Sequence, residues 1–179
     1  RTKLYEIDQG TFSPDGSTVV YNRIGWDTSN WRRYRGGQQG VISFYDLKKN
    51  TYWEMPQGRE NSWHPQWVGG SVFYLSDKND GTVNLYLYDV GTKKQEQLTR
   101  FSDADARTPT TDGKTIVFER DGKLYAWDIA KKSARQVVPT IQEDNYATRP
   151  RLRRLNDQIS DFSISPSGVR LVVEARGEL

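Results

Sequence analysis

Three segments of the chain alternate apolar, mostly aromatic positions with smaller or polar ones, and all three end in the same way. They are "VISFYDL" (Val41 to Leu47), "NLYLYDV" (Asn84 to Val90) and "KLYAWDI" (Lys123 to Ile129). A period of two over five to seven residues predicts β-strands, because successive side chains of a strand point to opposite faces. Each closes on an aspartate and an aliphatic residue, and Asp46, Asp89 and Asp128 fall 43 and 39 residues apart. A repeat of this length points to one supersecondary unit copied along the chain.

A second register supports the repeat. "TVVYNR" (Thr18 to Arg23), "SVFYLSD" (Ser71 to Asp77), "TIVFERD" (Thr115 to Asp121) and "RLVVEAR" (Arg170 to Arg176) follow the turn sequences "SPDGS", "VGG", "TDGK" and "SPSGV". Asp-Gly and Ser-Gly steps supply the left-handed backbone that tight reversals need. Inner strands at "HPQW", "ARTPT" and "ISDFSIS" and outer ones at "KQEQLTR" and "ARQVVP" complete units of four strands. The prediction is an all-β fold, a β-propeller of four-stranded antiparallel blades. Blades fall at roughly 8–58, 61–101 and 104–139, with a half blade at 158–179, so about three and a half are present. Residues 1–140 would form part of a six-bladed ring, 141–157 a charged linker, and 158–179 the first strands of a following blade or second propeller. Three and a half blades do not close a ring, so the segment is expected to be part of a longer chain.

One connection breaks the rhythm. Between Ile24 and Val41 lie about sixteen residues, where the other blades use about six, and they include "WRRYRGGQQG". Long loops on a rigid scaffold commonly carry function. Trp31, Arg32, Arg33, Tyr34 and Arg35 are therefore the candidate peptide or domain contact: guanidinium forks match carboxylates, and the aromatic faces stack on peptides or on guanidinium groups. The competing expectation is that Trp26, Trp31 and Tyr34 pack the loop down while its arginines pair with local acids or carbonyls.

Composition excludes more than it assigns. Lys+Arg 26 against Asp+Glu 23 leaves a net charge of +3, too little for the dense basic surface that nucleic acid favours, so no nucleic-acid partner is expected. No apolar run is long enough to span a membrane as a helix, and no membrane insertion is expected. With no cysteine and one histidine, the usual zinc patterns are absent, and neither cofactor nor metal is expected. That histidine, His64 in "NSWHPQW", reads as a strand residue held by backbone hydrogen bonds. No GxSxG elbow occurs, and no nucleophile and base can be paired, so no catalytic residue is assigned. "DKNDG" (Asp77 to Gly81) reads as a hairpin turn and lacks the spaced ligands of a calcium loop. "RGGQQG" lacks the lysine and helix start of a phosphate loop. Lys48-Lys49, Lys93-Lys94 and Lys131-Lys132 recur after the third strands and are expected in solvent-facing turns. "TIQEDNYATRPRLRRLNDQ" (Thr140 to Gln158), with Arg149, Arg151, Arg153 and Arg154, reads as the solvated linker.

The "SPDG" turn before a "VVY" strand and the "LY.YD" strand resemble the short repeat shared by TolB-type propellers and tricorn-type proteases. The ordered set "WRRYRGGQQG", "VFYLSDKNDGTVNLYLYD", "QLTRFSDADARTPTTDGKTIVFERDGKLYAWD" and "ISDFSISPSGVRLVVEARGEL" is similar to the N-terminal propeller of the tricorn protease family, running into its second propeller. The resemblance implies a non-catalytic propeller segment of a serine peptidase, guiding or filtering peptides and supporting assembly. Its implied partners are peptide substrates of the parent protease, other domains of the same chain and further copies in a homo-oligomer. It leaves the compartment open and leans to periplasmic or secreted over cytoplasmic. The alternative is a stand-alone TolB-like protein-interaction propeller. A second propeller, a PDZ-like module and a serine-peptidase motif beyond Leu179 would separate the two.

Overall fold

The computed structural model describes residues 7–25, 33–79, 81–142, 149, 150, 152, 154 and 157–177. The chain divides into two units, Arg1–Pro139 and Thr140–Leu179. Among the described residues every regular element is a strand.

In the first unit, β1 (Gln9–Phe12), β2 (Thr18–Asn22), β3 (Ile42–Asp46) and β4 (Thr51–Glu54) form one sheet. β5 (Ser62–Val68), β6 (Ser71–Ser76), β7 (Asn84–Asp89) and β8 (Gln95–Gln97) form the next. β9 (Ala106–Thr111), β10 (Thr115–Arg120), β11 (Lys123–Asp128) and β12 (Ser133–Val137) form the third. Each sheet runs in chain order with antiparallel neighbours. The three alternating segments that define the repeat are β3, β7 and β11, the third strand of each sheet. β2 ends at Asn22, two residues before the sequence suggests. The reason is that Asn22, fully buried, turns its amide inward and donates to the carbonyls of Val41 (2.8 Å) and Ser62 (2.9 Å).

The continuous burial of the central sheet follows from its position between two others. On β6, Val72 and Tyr74 join Tyr86 and Tyr88 of β7 against Val20, Ile42, Phe44 and Met55 of the first sheet. Phe73, Leu75 and Leu85 point the opposite way, with Trp63, onto Ala106, Ile116, Phe118 and Trp127 of the third. Both phases of the alternation are thus apolar, and each large side chain removed from water contributes about 1.5–3 kcal/mol.

Consecutive sheets are also joined by a repeated pair of hydrogen bonds. Gly40 donates its N–H to Asn61 Oδ1 (3.0 Å) and accepts from Ser62 N–H (2.9 Å). One blade later Val83 donates to Asp105 Oδ1 (2.9 Å) and accepts from Ala106 N–H (2.9 Å).

The repeated aspartate has a local cause. Asp46 Oδ1 accepts the N–H groups of Lys48 and Lys49, Asp89 Oδ1 that of Thr92, and Asp128 Oδ1 that of Lys131. Each therefore caps the turn into the fourth strand, and four residues on the chain enters the left-handed region at Asn50, Lys93 and Lys132. The lysine pairs lie exposed in these turns.

The second unit holds one antiparallel hairpin, β13 (Ile159–Ile164) with β14 (Leu171–Ala175). Its turn repeats the first one of the chain. Ser165 and Ser13 each accept a glycine N–H (Gly168, 2.8 Å; Gly16, 2.9 Å) through the carbonyl, and each hydroxyl accepts the N–H of the residue five places on. Arg149 and Arg154 of the expected linker are among the described residues; Arg151 and Arg153 are not.

Candidate functional site

The arginine-rich connection is fastened to the second sheet. Of the five residues the sequence singles out, Trp31 and Arg32 lie outside the described residues, while Arg33, Tyr34 and Arg35 come together over the junction of the first two sheets. Arg35 donates through Nη2 to Asp77 Oδ2 at 2.8 Å and through Nη1 to the carbonyl of Tyr34 at 3.2 Å. The side chain of Asp77 is 1% exposed and that of Arg35 27%. Arg33 is itself exposed and sets its guanidinium against the backbone at Gly81, 3.7 Å from where a Cβ would stand. Gly81 has φ +72°, so that turn can neither take a side chain without strain nor crowd the arginine.

Inside the loop, Tyr34 folds over Gly36, where any side chain would meet the phenol ring. At the far end, Gly40 passes under the indole of Trp63 so closely that a Cβ would collide with it. Residues 33–40 of the loop are thus a packed strap in which one arginine, Arg35, pairs with a nearby acid; Trp26 and Trp31, expected to pack the loop down, lie outside the described residues. The acid belongs to the next blade.

Sequence reasoning missed two residues of this site. Asn61 donates Nδ2 to the carbonyl of Tyr34 (3.1 Å) and to Asp77 Oδ2 (3.2 Å), and Asp77 Oδ1 accepts the N–H of Asn61 (2.8 Å). Asp77 opens the stretch that reads as a turn, which it also is, since β6 and β7 pair on either side of it. A polar pair at the two ends of adjoining strands, facing a loop rich in arginine, is the signal that could have found it.

His64 lies away from the strap, on β5. It is 8% exposed and has φ +54° at a β-bulge between Trp63 and Gln66. Thr108, at the same step of β9, has φ +43° beside a second bulge. Thr11 of β1 binds the first bulge, its Oγ1 accepting the N–H of Trp67 at 3.0 Å and donating to the carbonyl of Pro65 at 3.4 Å. The histidine thus occupies a structural step of the repeat.

A second arginine cluster seals the next junction. The guanidinium of Arg120 lies 4.3 Å from the ring centre of Phe101 and 5.5 Å from that of Tyr125, donates to the Tyr125 hydroxyl (3.2 Å) and pairs with Asp103. The hydrogen bond from Arg120 holds the Asp103 carboxyl below the usual carboxylate range. Two open clefts flank these clusters. One of about 460 Å³ runs between Gly36–Gly37 of the strap and the chain from Glu54 to Gly58. The other, of about 430 Å³, is lined by Asp103, Asp105, Glu119 and Asp121 with Arg107. These groups can hold a chain or a surface by charge and hydrogen bonding.

Four-stranded antiparallel sheets in chain order, packed face to face about a central one buried on both sides and joined by hydrogen bonds from one sheet to the next, define this protein as part of a β-propeller. The sequence pattern of the Tricorn protease N-terminal beta propeller domain matches residues 1–133, and the chain belongs to that family. It is 28% identical over 161 residues to a tricorn protease homolog of Saccharolobus solfataricus, covering 90% of this chain and 15% of that one. With the tricorn protease of Thermoplasma volcanium it shares 26% over 163 residues, 89% of this chain and 15% of the other. The chain therefore spans only about 15% of the length of these relatives. The crystal structure of the tricorn protease superposes with a TM-score of 0.67 at 24% identity, covering 88% of this chain and 15% of that one. A putative TolB from Agrobacterium tumefaciens gives 0.60 at 16% identity, covering 75% and 50%. Both likenesses are of fold.

Proposed function

We propose that this chain is a non-catalytic propeller segment of a tricorn-type serine peptidase, where it guides or filters peptides and supports assembly. Family membership over residues 1–133 carries the reading. In this reading residues 1–140 belong to the ring wall, 141–157 link it onward, and 158–179 begin the next blade or a second propeller. The strap with Trp31, Arg32, Arg33, Tyr34 and Arg35 serves as a contact for a neighbouring domain in preference to substrate, because Arg35 is already committed to Asp77. Its partners would be the remaining domains of the same chain, further copies of it, and the peptides on which the parent enzyme acts.

A stand-alone interaction propeller is the second reading, favoured by the TolB likeness. Sequence similarity to a tricorn homolog along 90% of the chain weighs against it. The test uses the full-length polypeptide, with and without residues 1–139, measured for oligomer size by light scattering and for hydrolysis of short and long unstructured peptides. Removal of the propeller is expected to impair assembly and length discrimination while short peptides are still cleaved. A full-length polypeptide without peptidase activity would favour the interaction propeller.

A further inference from the structure

Asn61 and Asp77 are 2% and 3% exposed, and together they grip the arginine strap at both ends of its described stretch. Asn61 takes the carbonyl of Tyr34 at 3.1 Å and the N–H of Gly40 at 3.0 Å, while Asp77 takes Arg35 at 2.8 Å. The equivalent pair in the third blade is Asp105 and Asp121. There Asp121 is exposed in a tight turn with φ +53°, and no arginine strap arrives from the blade before. Among the described residues, both members of the pair are buried and met by an arginine from the blade before at the junction where the strap lands.

A carboxylate this far from water is costly unless a cation and hydrogen-bond donors meet it. Asn61 supplies two donors and Arg35 the charge, so lifting the strap would leave Asp77 its bonds from Asn61 but take away its cation. Strap closure and charge satisfaction are one event.

We infer that Asp77 and Asn61 are positioning residues for the arginine strap: through Arg35 they fix its seat, and so fix how the exposed Arg33 is presented beside Gly81. The inference rests on the reading of the strap as a contact surface, and it assigns to the second blade the control of a loop that belongs to the first.

The test is amide hydrogen exchange on the full-length polypeptide. Asp77→Asn keeps the shape of the side chain and removes its charge. It should speed exchange over residues 34–40 by about ten- to a hundredfold, as expected for loss of a charged hydrogen bond, with the strands Ile42–Asp46 and Ser71–Ser76 unchanged. Arg35→Gln, made on the more exposed partner, should do the same and carries the test if Asp77→Asn fails to fold. The double variant should add nothing to either alone. Arg35→Lys restores charge without the bond to Tyr34, so its exchange should fall between parent and Arg35→Gln. Unchanged strap exchange in both single variants would overturn the inference whatever happens to assembly. A loosened strap with normal assembly and peptide handling would support positioning and sink the contact reading instead.

Discussion

Asn61 and Asp105 occupy the same step of consecutive blades, and each accepts a backbone N–H from the blade before it, Gly40 at 3.0 Å and Val83 at 2.9 Å. An amide suffices for this bond in the first case, and a carboxylate makes it in the second. Exchanging the two should therefore be unequal. Asp105→Asn is expected to cost less than about 1 kcal/mol, because the acceptor survives. Asn61→Asp would set a second carboxylate beside Asp77, now 3.2 Å from the Asn61 amide, and should cost about 2 kcal/mol or more. Urea unfolding of the two variants checks the asymmetry. Equal losses would contradict it.

Tyr74 is 1% exposed, and its hydroxyl finds no hydrogen-bond partner. Removing that hydroxyl with Tyr74→Phe should leave stability unchanged or raise it by about 1 kcal/mol. Burial pushes the phenol well above the usual tyrosine range. The group stays protonated in the folded state after the unfolded chain has begun to ionise, so its contribution is complete below about pH 10 and is lost as pH rises beyond that. Alkaline unfolding should accordingly be shallower in Tyr74→Phe. A steeper alkaline limb in the variant would refute this.

At the opposite end of the pH scale, Asp15 matters. The hydroxyl of Ser13, followed by the N–H and hydroxyl of Ser17, holds its carboxyl down at about 2. A lowered folded value stabilises above the unfolded one, and the contribution disappears as pH falls from about 4 to about 2. Asp15→Asn should flatten that part of the acid unfolding curve. An acid limb identical to the parent's would show that the turn contributes nothing there.

For His64 the backbone sets the expectation. Asparagine tolerates its positive φ of +54°, whereas a β-branched residue does not. His64→Asn should fold and His64→Val should lose about 1–3 kcal/mol, with peptide hydrolysis by the full-length polypeptide unchanged in the asparagine variant. Loss of turnover in a folded His64→Asn protein would restore a chemical role to the histidine.

The sequence by itself determined the repeat. Strand alternation and turn chemistry are local, so Asp46, Asp89 and Asp128 announce both the period and the turns they cap, and the apolar stretches at β2, β6 and β10 announce the second strand of each blade. Tertiary structure alone decided what each polar residue is for. Asn61 and Asp77 look like ordinary turn residues because the groups that give them meaning arrive from the blade before.

 The carbonyl of Tyr34 lies 27 residues before Asn61, and Arg35 lies 42 before Asp77. The period of two along a strand does not reach so far, and the blade period relates equivalent positions of successive blades without showing which side chains bond. Only the packing of one blade on the next brings them within hydrogen-bond distance, and burial there turns an ordinary aspartate into a charge that the strap must satisfy.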